Sequence, residues 1–272
     1  MYYSGKDRVG RLRIGVALSC DGLRWEKSSG NPVMDTGGRG SWDSRYVYAP
    51  AVWKDEDTWR MVFTGCDYED HYQVGVARSA DGILWEKWER NPVFSDWRCG
   101  LNRFGRAETE AWGIAKIGSK YVMLYNTVTI KPRQIYGAES ADLVKWKRIK
   151  QRPLIPSEGR PSELGYMKYC ASSLVVAGSN YIFAAVSDKE YNKSAIGLWK
   201  VDALLDGGRP RFVGYVVRAG EEWCKMEVDM PFTVCGTAGE SARNIHLYFG
   251  GKAVDNRWAE GMALGRMEMM EQ

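Results

Sequence analysis

The sequence predicts an all-β fold, a five-bladed β-propeller whose first blade is open to being incomplete. Two observations lead there: a near-identical internal repeat, and short β-forming runs divided by Gly and Pro turns. A third is the lack of any long segment with an apolar period of 3.6 residues, so helices should be few. The repeat is seen by setting Gly15-Val16-Ala17-Leu18-Ser19-Cys20-Asp21-Gly22-Leu23-Arg24-Trp25-Glu26-Lys27, with Asn31-Pro32-Val33, against Gly75-Val76-Ala77-Arg78-Ser79-Ala80-Asp81-Gly82-Ile83-Leu84-Trp85-Glu86-Lys87, with Asn91-Pro92-Val93. The offset is 60 residues throughout, and such fixed-period self-similarity marks a repeat architecture. About sixty residues per unit, at three or four strands each, is the size of a propeller blade.

Each element follows from the same logic. Gly137-Ala138-Glu139-Ser140-Ala141-Asp142, with Trp146-Lys147 and Pro153, is a third copy. Ile196-Gly197-Leu198-Trp199-Lys200-Val201 is a degenerate fourth, and Gly261-Met262-Ala263-Leu264-Gly265 a fifth. Before each copy runs a short aromatic or apolar strand: Met1 to Gly5, Met61 to Gly65, Met123 to Asn126, Phe183 to Ser187 and Leu247 to Gly251. Asp81-Gly82 is a hairpin turn signal, because glycine accepts the positive φ such turns require. Asn-Pro after the Trp strand ends pairing, since proline has no N–H to give a ladder. Trp25, Trp85 and Trp146 recur on schedule and are expected in the core between blades. Residues 1–272 are read as a single propeller domain.

Composition narrows the function. Twelve Trp and fifteen Tyr against seven Phe give an excess of polar-tipped aromatics, suited to strands and to surfaces that grip flat ligands. With 38 Lys+Arg against 34 Asp+Glu there is no basic stripe, which argues against a nucleic-acid partner. No apolar run reaches the roughly 18 residues of a membrane span, and Met1 to Asp7 has no leader pattern. Cys20, Cys66, Cys99, Cys170, Cys224 and Cys235 are scattered without a CxxC pair, so reduced thiols and a cytoplasmic setting are expected. Two His, His71 and His246, argue against a His-rich zinc site; no metal and no cofactor is expected. The run Asp67, Glu69, Asp70 reads as a solvated loop.

The blade motif, Ser-x-Asp-Gly-x-x-Trp-Glu-Lys followed by Asn-Pro-Val, resembles that of the five-bladed propeller glycosidases: glycoside hydrolase families 43 and 32, with levansucrases and mannoside phosphorylases among their relatives. Gly40-Ser41-Trp42-Asp43-Ser44 through Tyr48-Ala49-Pro50-Ala51-Val52 is similar to their blade-opening strand. The resemblance implies cleavage of a glycosidic bond in an oligosaccharide by two carboxyl groups, one protonated and one ionised. Thr109-Glu110-Ala111-Trp112, with Lys116 and Tyr121, looks like the family-43 general-acid strand, which puts Glu110 in the acid's place; Trp112 stands where that family has Pro. Glu108 would share a strand face with Glu110 and partner or displace it. Ala51 replaces the second Asp of family 43, and Asp43, in a levansucrase-like Trp-Asp-Ser segment, is the nearest acid. Asp229, in Glu227-Val228-Asp229-Met230-Pro231, is the third catalytic candidate. Trp42, Tyr46 and Trp112 are expected to stack on sugar, and Arg106, Tyr166 and Lys168 to bind it, alongside Glu108.

Met1-Tyr2-Tyr3-Ser4 aligns with the second strand of a blade, so the strand that carries the base Asp in the resembled enzymes is missing from the first. Pairing of Arg266-Met267-Glu268-Met269 with an N-terminal strand would close the ring; an open ring would instead pair with another copy of the chain. Two alternatives stay beside the hydrolase reading. One is a carbohydrate-binding propeller without catalysis. The other is a phosphorylase, with Arg103, Arg106 and Lys168 on the phosphate.

Overall fold

Residues 1–127, 133–156, 168–177, 179–187, 194–220, 227–235, 244–252 and 258–268 are described by a computed structural model. The chain is an all-β propeller, and its described residues form eighteen strands in five antiparallel sheets. The first sheet, in the order β1-β2-β3, holds β1 (Tyr2–Lys6), β2 (Leu12–Leu18) and β3 (Glu26–Lys27). The second runs β4 (Tyr46–Asp55), β5 (Thr58–Cys66), β6 (Tyr72–Ser79), β7 (Glu86–Lys87). The third consists of β8 (Glu110–Ile117), β9 (Lys120–Asn126), β10 (Tyr136–Ser140) and β11 (Lys147–Arg148). The fourth is β12 (Lys168–Ala177), β13 (Ser179–Ser187), β14 (Ser194–Val201), β15 (Arg211–Arg218), and the last β16 (Glu227–Cys235), β17 (Asn244–Lys252), β18 (Trp258–Glu268). Five complete four-stranded blades are therefore not formed by the described residues. The first and last sheets have three strands, and in the first β1 pairs with β2 as β5 pairs with β6.

Two compact units are distinguished. Residues 1–112, 127–131 and 140–146 make the first, and 113–126, 132–139 and 147–272 the second. In the first, Ile14, Met34, Val47, Met61, Phe63 and Ala77 form the core. The second holds one cluster around Val122, Leu124, Ile135, Ile182 and Trp199, and another around Phe183, Ile196, Val228 and Phe249.

The hairpin of the repeat is a self-contained hydrogen-bonded box. Asp81 Oδ1 accepts from the backbone N–H of Ile83 and of Leu84, both at 2.8 Å, and from Ser79 Oγ at 2.9 Å; Trp85 Nε1 donates to the Gly82 carbonyl at 3.1 Å. Asp21 repeats the pattern with Leu23, Arg24, Ser19 and Trp25, and Asp142 with Val144, Lys145 and Ser140. Asn31 and Asn91 bracket the next turn, each accepting from and donating to one valine of the adjacent strand, Val16 and Val76. The backbone N–H groups of Arg24, Leu84 and Lys145, first among their partners, hold the carboxyls of Asp21, Asp81 and Asp142 below the usual carboxylate value. The expected tryptophan core is only half right. Trp25, Trp85 and Trp146 are half-buried and brace their own hairpins, and Trp85 also meets the edge of Tyr2 at 5.7 Å.

Strand pairing places an aromatic ring over the glycine that opens each of the first two copies. Tyr3 pairs with Gly15 and Phe63 with Gly75, and a Cβ on Gly75 would lie 2.6 Å from the Trp42 ring and 2.8 Å from Phe63. Gly75→Ala should therefore lower stability by about 1–3 kcal/mol through overpacking, whereas Gly38→Ala, with open space around it, should leave the thermal midpoint unchanged. Thermal unfolding of the two variants checks this.

A pH dependence follows from the three hairpin aspartates. Their folded-state values lie below the unfolded ones, so the stability they contribute is present above the ordinary carboxylate value, about 4, and is lost as pH falls through the lower folded values. Thermal midpoints recorded from pH 7 down to pH 3 should fall more steeply for the parent protein than for Asp81→Asn, which cannot titrate.

Candidate active site

The site is built in the first unit around the start of β8. Residues Glu108, Thr109, Glu110 and Ala111 are all buried, an unusual place for two carboxylates unless each is partnered. Pairing in the neighbourhood fixes the run. Thr109 N–H donates to the Tyr72 carbonyl at 2.8 Å, Thr109 Oγ1 accepts from Asp96 N–H at 2.8 Å, and Ala111 N–H donates to Thr64 Oγ1 at 3.0 Å. Glu108 bridges Tyr72 in parallel register and accepts from Asn102 Nδ2 at 3.1 Å. Glu110 faces a different partner: Tyr48 Oη donates to its Oε1 at 2.8 Å.

Tyr48 is the residue that sequence reading passed over. It ends the first half of β4, where the register breaks between Tyr48 and Ala51. Ala49 takes a left-handed φ of 51°, uncommon for a residue with a Cβ, and Pro50 follows. Ala49 N–H donates to Ser4 Oγ of β1 at 3.0 Å, which holds the bulge and aims the Tyr48 ring. Tyr72 and Trp112 meet that ring edge-on at 6.5 and 6.4 Å. Burial, then the negative charge of Glu110, pushes the Tyr48 hydroxyl well above its usual value, so it stays a neutral donor. The indole N–H of Trp112 is buried with no hydrogen-bond partner. The signal available in sequence was the parallel between Tyr48-Ala49-Pro50 and Glu110-Ala111-Trp112 at the head of successive sheets.

The other candidates are placed as follows. Asp43, 2% exposed, pairs through Oδ2 with Lys87 Nζ at 2.5 Å and accepts from Ser41 Oγ at 3.0 Å through Oδ1. Lys87 also donates to the Asp35 carbonyl at 2.7 Å, so Asp43 anchors the preceding loop to β7. Trp42 lies over Gly65 and Gly75 and tilts against Phe63 at 5.7 Å, a core contact. Tyr46 carries the Arg45 guanidinium over its ring at 4.6 Å. Arg106 pairs with the Glu69 carboxylate at 2.7 Å and also donates to the Glu69 carbonyl, while Arg103 covers Phe104 at 4.6 Å. His71 Nδ1 meets Asp67 Oδ2 at 2.7 Å. Among the described residues no group of three His, Cys, Asp or Glu is placed to hold a metal.

In the second unit, buried Asp229 accepts from Met230 N–H at 2.6 Å. Met230 has a φ of 55° and precedes Pro231, so β16 repeats the bulge of β4 with a carboxylate in the place of Tyr48. Lys168 opens β12, and Tyr166 lies outside the described residues.

A propeller with a buried, tyrosine-tethered glutamate on the opening strand of its third sheet has the makings of a carbohydrate-active protein. A family profile described as beta-1,4-mannooligosaccharide phosphorylase matches residues 1–163, and the chain belongs to that family, glycoside hydrolase family 130. Solved structures agree on the fold. A β-1,2-mannobiose phosphorylase from Listeria innocua, in complex with β-1,2-mannobiose, is similar at 20% identity and a TM-score of 0.68, covering 95% of this chain and 67% of its own. A putative glycoside hydrolase from Parabacteroides distasonis is similar at 16% identity and a TM-score of 0.67, covering 99% and 83%. A family-32 β-fructofuranosidase of Bombyx mori reaches 14% and 0.67, covering 99% and 57%. No curated protein sequence matches the chain.

Removing the hydroxyl that tethers the glutamate should be costly to the fold as well as to the site. Tyr48→Phe leaves the ring packing intact, and chemical denaturation should show a loss of about 1.5–3 kcal/mol, the range for a hydrogen bond to a charged group.

Proposed function

We propose that this protein cleaves a glycosidic bond of an oligosaccharide, with Glu110 as the proton donor. The observation that carries this reading is the buried Tyr48–Glu110 hydrogen bond at 2.8 Å on the strand that family resemblance assigns to the acid. The hydroxyl of Tyr48 stabilises the carboxylate left behind once the proton has gone. As the proton passes to the glycosidic oxygen, the bond from that oxygen to the anomeric carbon breaks and its electron pair stays on the oxygen. The anomeric carbon then accepts an oxygen from the incoming molecule.

The acceptor separates two readings. With water the reaction is hydrolysis, and a second carboxylate must take the water's proton. With phosphate it is phosphorolysis, where the acceptor arrives already anionic and the protein need supply only the acid. The Asp43–Lys87 ion pair, which commits the acid nearest in sequence to a structural role, favours the second reading, as does the description of the family. Arg103 and Arg106, committed to Phe104 and Glu69, would have to leave those partners to reach phosphate. Residues 1–272 are read as one propeller domain, with the three-stranded first and last sheets counted as partial blades of five.

Incubation with β-1,4-mannobiose, with and without inorganic phosphate, tests the proposal. Hydrolysis releases mannose in both, and phosphorolysis gives mannose 1-phosphate only with phosphate. Glu110→Gln should lower kcat/KM about 10²–10⁴-fold, the usual contribution of a general acid. A Gln variant as active as the parent would remove Glu110 from the mechanism.

A further inference from the structure

We infer that a second carbohydrate-binding site lies apart from Glu110's contacts, in the cleft between the loop at residues 36–44 and the loop at 67–69, with Tyr68 as its stacking platform. The inference rests on the proposed function only for the choice of sugar as probe. The cleft has a volume of about 620 Å³, enough for two or three sugar rings, and lies wholly within the first unit. Its chemistry is that of a neutral polyhydroxyl ligand. The lining carries Arg11 and Arg39 beside Asp67 and Glu69, and Arg11 is paired with Asp7, Asp67 with His71 and Glu69 with Arg106, so no strong excess of either charge selects an ion. Ser41 and Ser44 add hydroxyls to the lining.

Both loops are fixed before any ligand arrives. Asp43, buried under the first, is tied to Lys87. In the second, Asp67 Oδ1 accepts from the backbone N–H of Glu69 at 2.8 Å and of His71 at 3.1 Å, while Oδ2 meets His71. Asp70 pairs with Arg45 at 2.5 Å and Glu69 with Arg106 at 2.7 Å. Every charged side chain of Asp67-Tyr68-Glu69-Asp70-His71 is therefore held, and Tyr68, 65% exposed, is presented outward on the lip of the cleft beside the exposed Glu69. A large aromatic kept in water by a rigid loop offers its face to the C–H side of a pyranose at little entropic cost.

The test is calorimetric titration of β-1,4-mannotetraose into Glu110→Gln, which keeps the sugar intact, and into the same protein carrying Tyr68→Ala or Tyr68→Phe. Tyr68→Ala should weaken binding roughly three- to tenfold, the span expected for one aromatic contact, and Tyr68→Phe should bind as the parent does. Equal affinity for the Ala variant, or no binding of mannotetraose by the parent, overturns the inference. Turnover of β-1,4-mannobiose, measured alongside with Glu110 intact, separates the two claims. Tyr68-dependent binding without any turnover leaves the cleft standing and removes the proposed reaction; turnover with Tyr68-independent binding does the reverse.

Discussion

Aromatic rings lying over glycines are the constraint on which the first unit depends. A sheet face crowded with Tyr, Trp and Phe cannot pack closely unless something beneath the rings is missing. Gly15 and Gly75 are that gap, each paired across strands with a ring, Tyr3 and Phe63. Such pairing restores to a glycine in a strand the packing it lacks. Gly75 takes Trp42 as well, so the ring of a loop residue enters the core and pins the segment that carries Asp43. In the second unit Gly197 sits below Trp199 and Phe212 by the same rule.

The hairpin box complements this packing without depending on it. Each aspartate satisfies the N–H groups of its own turn, so the loop needs no distant partner to keep its shape. What the repeat then leaves variable is the loop before each sheet and the strand that opens it. The proposed site residues lie there: Tyr48 and Glu110 on opening strands, and Tyr68 on a loop. A scaffold that closes its own turns can vary these segments without losing its fold.

The Tyr48–Glu110 pair shows how strain is used. A left-handed alanine before proline is an unfavourable conformation, and it persists because Ser4 holds the N–H and the surrounding strands fix the chain on both sides. The result is a neutral hydroxyl, kept neutral by burial and by the charge it faces, delivered to a carboxylate in the interior. Where the resembled enzymes place a second acid on this strand, the present chain has Ala51, and the strand's group that faces Glu110 is a phenol.

The sequence alone determined the repeat, the turns and the β class, because all three are written within a few residues of each other. An aspartate two residues after a serine, a glycine next to it and a tryptophan three further on make contacts inside one hairpin, and local chemistry is legible in a string. It also placed Glu110 on its strand, by a motif only four residues long. The tertiary structure decided the partnerships. Tyr48 lies 62 positions from Glu110 and Asp43 lies 44 from Lys87, and no spacing rule connects residues that meet only because separate strands pack side by side. Trp42 and Asp43 read as site residues because their types suit sugars, yet the glycines and the lysine that claim them lie on other strands. Side-chain type records what a residue can do; the packing of distant strands decides which of those capacities is already in use.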